Sequence, residues 1–183
     1  MRPLLALLLL ILTALPAAAL DVAGVTPEPA VTVNGHTLKL NGSGIRKKFF
    51  FKIYIGSLYS ARHLTNPAEA LADPGDKLIR MNFLHSRVGK EKIIEAFSEG
   101  FANNSPAIAR SGEVQRFLSF FTADFKRGDV VDLVLGGDGT VLARHNGRIL
   151  GTLVSVPLAH AVLAIYLGEK PADETLKNGM LGR

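Results

Sequence analysis

One stretch of this 183-residue chain, Gly42-Ser43-Gly44-Ile45-Arg46-Lys47-Lys48-Phe49-Phe50-Phe51-Lys52-Ile53-Tyr54-Ile55-Gly56-Ser57-Leu58-Tyr59, interleaves cations, aromatic rings and phenols. An arginine offers a planar fork of donors that matches a carboxylate, and a tyrosine adds a hydroxyl donor on an apolar body. In an unbroken strand, Phe49, Phe51, Ile53 and Ile55 would line one face and Arg46, Lys48, Phe50, Lys52 and Tyr54 the other. Two readings follow. One is a half-exposed strand whose outer face carries solvated cations. The other is an apolar cavity with a cationic or phenolic group at one end, suited to a ligand with an acidic head and a greasy body. Arg46 and Tyr54 lie eight residues apart, roughly 26–27 Å along a straight strand. They share one carboxylate only if the chain folds back between them.

Other chemistry finds little support. The chain has no Cys, which excludes disulfides, thiolate metal sites and Cys nucleophiles. Its five His, at 36, 63, 85, 145 and 160, are scattered, and no H-E-x-x-H or G-x-S-x-G pattern occurs. No metal, cofactor or catalytic residue is therefore expected. Gly42-x-Gly44 lacks the third glycine of a dinucleotide fingerprint and reads as a turn or bulge pair. Gly136-Gly137-Asp138-Gly139 lies between two strand patterns and reads as a hairpin loop.

The elements that must position these residues can be followed along the chain. Two short runs, Ala30–Val33 and His36–Leu40, flank Asn34-Gly35, a hairpin signal because both residues tolerate positive φ. Residues 45–61 read as strand. Asn66-Pro67 opens a short helix through Ala72, and Lys77–Phe83 returns to strand. Ile93, Phe97 and Phe101, four apart, mark the buried stripe of one helix. A second amphipathic stretch runs from about Ser111 to Phe125. Val130–Leu135, Thr140–His145 and Arg148–Val154 form a meander with a turn at Asn146-Gly147, and two further helices cover 157–167 and 173–181. Strands and helices in blocks point to an α+β domain built on an antiparallel sheet.

Residues 1–19 combine Arg2, the apolar run Leu4–Leu12, Pro16 and Ala17-Ala18-Ala19, the tripartite order of a secretory signal peptide. Cleavage after Ala19 is expected, leaving residues 20–183 as a single domain with no membrane span, in the periplasm or secreted. The formal net charge is +5, with cations spread along the chain. Solubility or attraction to an anionic membrane surface accounts for it, and no nucleic-acid partner is expected.

The stretch GSGIRKKFFFKIYIGSLY resembles the glycine-x-glycine-x-arginine turn and following K-x-Y-x-x-G/A-x-Y strand of the chalcone isomerase-like superfamily. LGEKPADETLKNGMLG resembles the family's closing helix pair. LDVAGV, VTVNGHTLKLNGSG and MNFLHSRVGKEKIIEAFSEGF are similar to its secreted bacterial branch. The resemblance implies an open-faced β-sandwich: a large antiparallel sheet with helices packed on one face and a cleft between. Plant members cyclise chalcones, with an arginine stabilising the phenolate while a threonine and a tyrosine arrange a water. Other members bind fatty acids with the same arginine and a tyrosine.

Carried over, Arg46 stands at the family's arginine, and Tyr54 stands where isomerases have threonine, as in the fatty-acid-binding members. The isomerase tyrosine and asparagine fall near Val88 and Glu95, which have neither the hydroxyl nor the amide. The resemblance thus implies binding of a fatty acid or other apolar carboxylate, with Arg46 as clamp, Tyr54 as donor, Tyr59 and Lys52 as further candidates, and Phe97 and Phe101 as walls. The alternatives are an isomerase or intramolecular lyase on another substrate, with Arg46 stabilising an oxyanion and only Tyr54, Lys48 and His85 on offer as general acid or base, and a non-catalytic envelope protein in which Arg46 is structural.

Overall fold

Tight turns set the frame. The computed structural model describes residues 22–183, so the expected leader and its cleavage site lie outside the described residues. β1 (Ala30–Val33) and β2 (His36–Lys48) meet at Asn34-Gly35, with φ of 50° and 79°, the left-handed pair expected there. β2 runs on through Gly42 and Gly44 and pairs with β3 (Phe51–Ser60). The strand expected over 45–61 is therefore two strands, folded back at Phe49-Phe50. Lysines and phenylalanines carry no turn signal, which is why the sequence pattern hid this hairpin.

After α1 (Pro67–Ala72), capped by the Asn66 side chain, come β4 (Lys77–Phe83), the short β5 (Arg87–Val88) and α2 (Lys90–Asn104). α3 covers only Gly112–Leu118, capped by Ser111, instead of continuing to Phe125. The chain turns at Ser119, and Phe125–Lys126 becomes β6, paired with β5. There the Phe125 ring stacks on Phe83 at 4.9 Å. β7 (Val130–Leu135), β8 (Thr140–His145) and β9 (Arg148–Val154) form the expected meander, with Gly136–Gly139 as a hairpin loop. α4 (Val156–Leu167) and α5 (Glu174–Met180) close the chain.

The sheet is antiparallel throughout, in the order β1-β2-β3-β4-β7-β8-β9. Strand alternation splits its apolar residues. Leu58, Ile79, Leu133, Val141 and Ala143 join the helices in the main core. Their neighbours Tyr59, Leu78, Val134 and Leu142 gather with Val33 and Leu38 in a second cluster on the other face. The architecture is the expected α+β, an antiparallel sheet with helices packed on one face. α4 is apolar nearly all round and lies buried at the centre of the helical layer.

α5 is docked more closely than side chains would allow. A β-carbon on Gly44 would sit 2.7 Å from the Leu176 carbonyl oxygen, and one on Gly42 would collide with the Gly179 carbonyl. The glycine pair is thus a seat for a helix as well as the neighbour of a bulge. The register slips at Asn41, and this buried amide donates to Met180 O (2.8 Å) and Leu64 O (2.9 Å) while accepting the Leu64 N–H. We expect Gly42→Ala to cost about 1–3 kcal/mol by overpacking. Gly112→Ala, where a β-carbon meets nothing within 4 Å, should leave stability unchanged or slightly raised. Urea unfolding of the two variants checks the contrast.

Candidate functional site

Arg46 and Tyr54 stand opposite each other in the β2–β3 register. The fold-back at Phe49-Phe50 turns a separation of eight residues into one cross-strand pair. The Arg46 guanidinium carbon lies 5.6 Å from the Tyr54 ring centroid, a cation–π distance. Ile53 has no partner in the register, and this extra residue interrupts the alternation of β3 just before Tyr54.

Between this pair and the helices lies a cavity of about 10 Å³, room for roughly one water. Met81 of the sheet, Ile93, Ala96 and Phe97 of α2, and Ile165 and Tyr166 of α4 complete its wall with Ala172. Every helical wall residue except Tyr166 is apolar. The buried Tyr166 hydroxyl donates to Met81 Sδ at 3.3 Å. Burial, reinforced by the Tyr54 phenol, pushes the Tyr166 hydroxyl well above the ordinary phenol range. The Tyr54 phenol holds the Arg46 guanidinium above its usual value, against the opposing effect of burial.

Among the described residues no carboxylate forms an ion pair with Arg46. Asp173 comes nearest in role, adding a favourable charge from a distance. Its oxygens are occupied by backbone: Oδ1 accepts the Leu176 N–H at 2.9 Å as the cap of α5, and Oδ2 accepts the Lys47 N–H at 3.0 Å. A buried-side cation facing an apolar cavity without an anion is an arrangement that an acidic ligand would complete.

The other expected residues lie elsewhere. Tyr59 is five residues beyond Tyr54, so it projects to the opposite face, buried in the second cluster with the Arg80 guanidinium 5.9 Å from its ring centroid. Lys52 is exposed at the hairpin tip, on a surface groove shared with His85 and Arg127. Neither lines the cavity. Phe97 is a wall, whereas Phe101 packs deeper, edge-on to Phe117 at 5.8 Å. Glu95 is exposed and bonded to Lys92 at 2.8 Å, and Val88 sits in β5. Tyr166, Met81 and Ala172 were not expected. Tyr166 had one visible signal, as the lone hydroxyl in a helix that is apolar apart from His160.

A family model described as chalcone isomerase-like matches residues 19–182. Fatty-acid-binding protein 1 of Arabidopsis thaliana is 24% identical over 108 residues, covering 56% of this chain and 39% of that protein, so the match spans well under half of the relative's length. The crystal structure of an Arabidopsis thaliana fatty-acid binding protein superposes with a TM-score of 0.60 at 18% identity, covering 83% of this chain and 95% of that one. At that identity the likeness speaks for the fold.

The buried phenol has a consequence for stability. Above about pH 10 the unfolded chain releases the Tyr166 proton that the folded chain keeps. Its contribution is full below that pH and is lost as the pH rises. Tyr166→Phe should therefore show a shallower alkaline decline in urea midpoint than the wild type.

Proposed function

We propose that this chain, which belongs to the chalcone isomerase-like family, binds a fatty acid or another apolar carboxylate in the cleft between sheet and helices, without catalysis. The observation that carries this is the Arg46 guanidinium, unpaired by any carboxylate among the described residues and facing an apolar cavity together with Tyr54 and Tyr166. The name shared by the Arabidopsis sequence and structure matches supports the same ligand class. In this reading Arg46 clamps the carboxylate, Tyr54 donates a further hydrogen bond, and the chain of the ligand displaces contacts among Ile93, Ala96, Phe97 and Ile165. Among the described residues no histidine, lysine or carboxylate lines the cavity, so one cation and two phenols are the polar groups a ligand meets there. Turnover on another substrate would have to use those phenols, and the high pKa of Tyr166 makes it a poor proton donor. With the leader expected over residues 1–19, the proposed role is one in the periplasm or outside the cell.

The cavity's small volume means that a long ligand enters only if α2 moves off the sheet. The first turn of α2 is held from outside, with the Lys90 N–H donating to Asp124 at 2.9 Å, and Gly89 supplies no side-chain cap. The same small volume favours a second reading, a non-catalytic envelope protein with a filled cleft and a structural Arg46.

One titration separates the two. Calorimetry with a long-chain fatty acid should show binding to the wild type. Arg46→Ala should weaken it about 10- to 150-fold, from the roughly 1.5–3 kcal/mol of a hydrogen bond to a charged group. Arg46→Lys should fall between, keeping charge but losing the fork. Equal titration of wild type and Arg46→Ala, or none by either, overturns the binding proposal.

A further inference from the structure

The tip of the β2–β3 hairpin is built in a way that neither the fold nor the cleft requires. Three consecutive rings, Phe49, Phe50 and Phe51, are 85%, 97% and 59% exposed, the first two almost fully in water. Among the described residues only Phe51 of the three has a ring neighbour, His85 at 5.3 Å, edge-on. Exposed Lys47, Lys48 and Lys52 flank the rings, and exposed Arg127 shares their groove. None of these four cations is ion-paired among the described residues.

The backbone makes the choice of residue more telling. Phe49 has φ of 54°, a left-handed conformation that is costly for a bulky side chain. The other two-residue turns of this sheet place Asn-Gly at 34–35 and 146–147, the residues suited to such angles. Keeping an aromatic at this position opposes local stability, and keeping two rings in water opposes it again. Left-handed strain on a bulky ring and the most exposed aromatic side chains coincide at this one tip, and that coincidence points to a partner that receives the rings.

We propose that this hairpin tip is a docking device for an anionic lipid bilayer. Charge and shape both favour that occupant. Rings at the point of a turn can enter the interfacial region as a wedge, while the lysines bury their stems beside it and keep their ammonium groups at the headgroups. A ring of cations is attracted by an anionic leaflet, whereas lysine is depleted from protein interfaces. The proposal stands apart from the ligand of the cleft. It does set the Arg46–Tyr54 pair, carried by the same hairpin, beside the membrane.

The test is flotation of the purified protein with vesicles of phosphatidylcholine alone or mixed with phosphatidylglycerol, free of fatty acid. The wild type should float with the mixed vesicles and be released by added salt. The double variant Phe49→Asn/Phe50→Gly recreates the sister turns, so it should keep the fold by circular dichroism and lose at least ten-fold in vesicle binding. Lys47→Gln/Lys48→Gln should weaken binding to the mixed vesicles alone. The chain has no Trp, so Phe50→Trp supplies one indole whose emission should shift to the blue on the mixed vesicles. Absence of flotation by the wild type, equal flotation by the double variant, or unchanged indole emission overturns the proposal. So does a dimer in solution that the double variant abolishes without any vesicle binding.

Discussion

The close approach of α5 to β2 is the contact on which the cleft depends. Gly42 and Gly44 remove the side chains that would hold the helix off the sheet, and Gly179 removes one from the helix itself. Leu176 and Met180 then reach across to the space left by Gly56 on β3. Both ends of the helix are tied to β2, its start by the Asp173 carboxylate on the Lys47 N–H and its end by the Asn41 amide on Met180 O. Buried backbone groups need partners in any fold, and here those partners also fix where the neighbouring Arg46 lies. Because Asp173 is engaged with backbone, the acid nearest to Arg46 in role does not neutralise it at close range.

The rest of the helical layer acts as a lid over this edge. α2 brings Ile93, Ala96 and Phe97 to the cavity, and a close stack of rings holds that helix: Phe97 lies 5.0 Å from Phe121 and 5.2 Å from Phe117. α4 supplies Tyr166 from the centre of the core. Aromatic pairs of this kind contribute about 0.5–1.5 kcal/mol each beyond area burial. They are also among the contacts that would have to shift together for α2 to lift. A chain without cysteine has no disulfide to staple these layers, and packing must hold them.

Much of this architecture is legible in the amino-acid sequence. The Asn-Gly turns, the Asn66 cap, the buried stripe of α2 and the meander of β7 to β9 all have local causes, in turn angles, cap hydrogen bonds and periodicity. The family's motif pointed to Arg46 and Tyr54. The Phe49-Phe50 turn was hidden because nothing in a run of Lys and Phe favours left-handed backbone. The end of α3 at Leu118 was hidden because the amphipathic pattern continues past it, and what stops the helix is Phe125 joining β6 on the far side of the core.

By itself, the sequence determined most of the strands and helices and that cations and phenols share one strand region, because those properties rest on local torsions and alternation. Only the tertiary structure decided that Arg46 and Tyr54 meet, that Tyr59 faces away, and that Tyr166 joins them from a helix more than a hundred residues later in the chain. Those outcomes depend on where a hairpin reverses, where a bulge resets the alternation and how near a glycine seam lets a helix come. None of these is a property of any single segment.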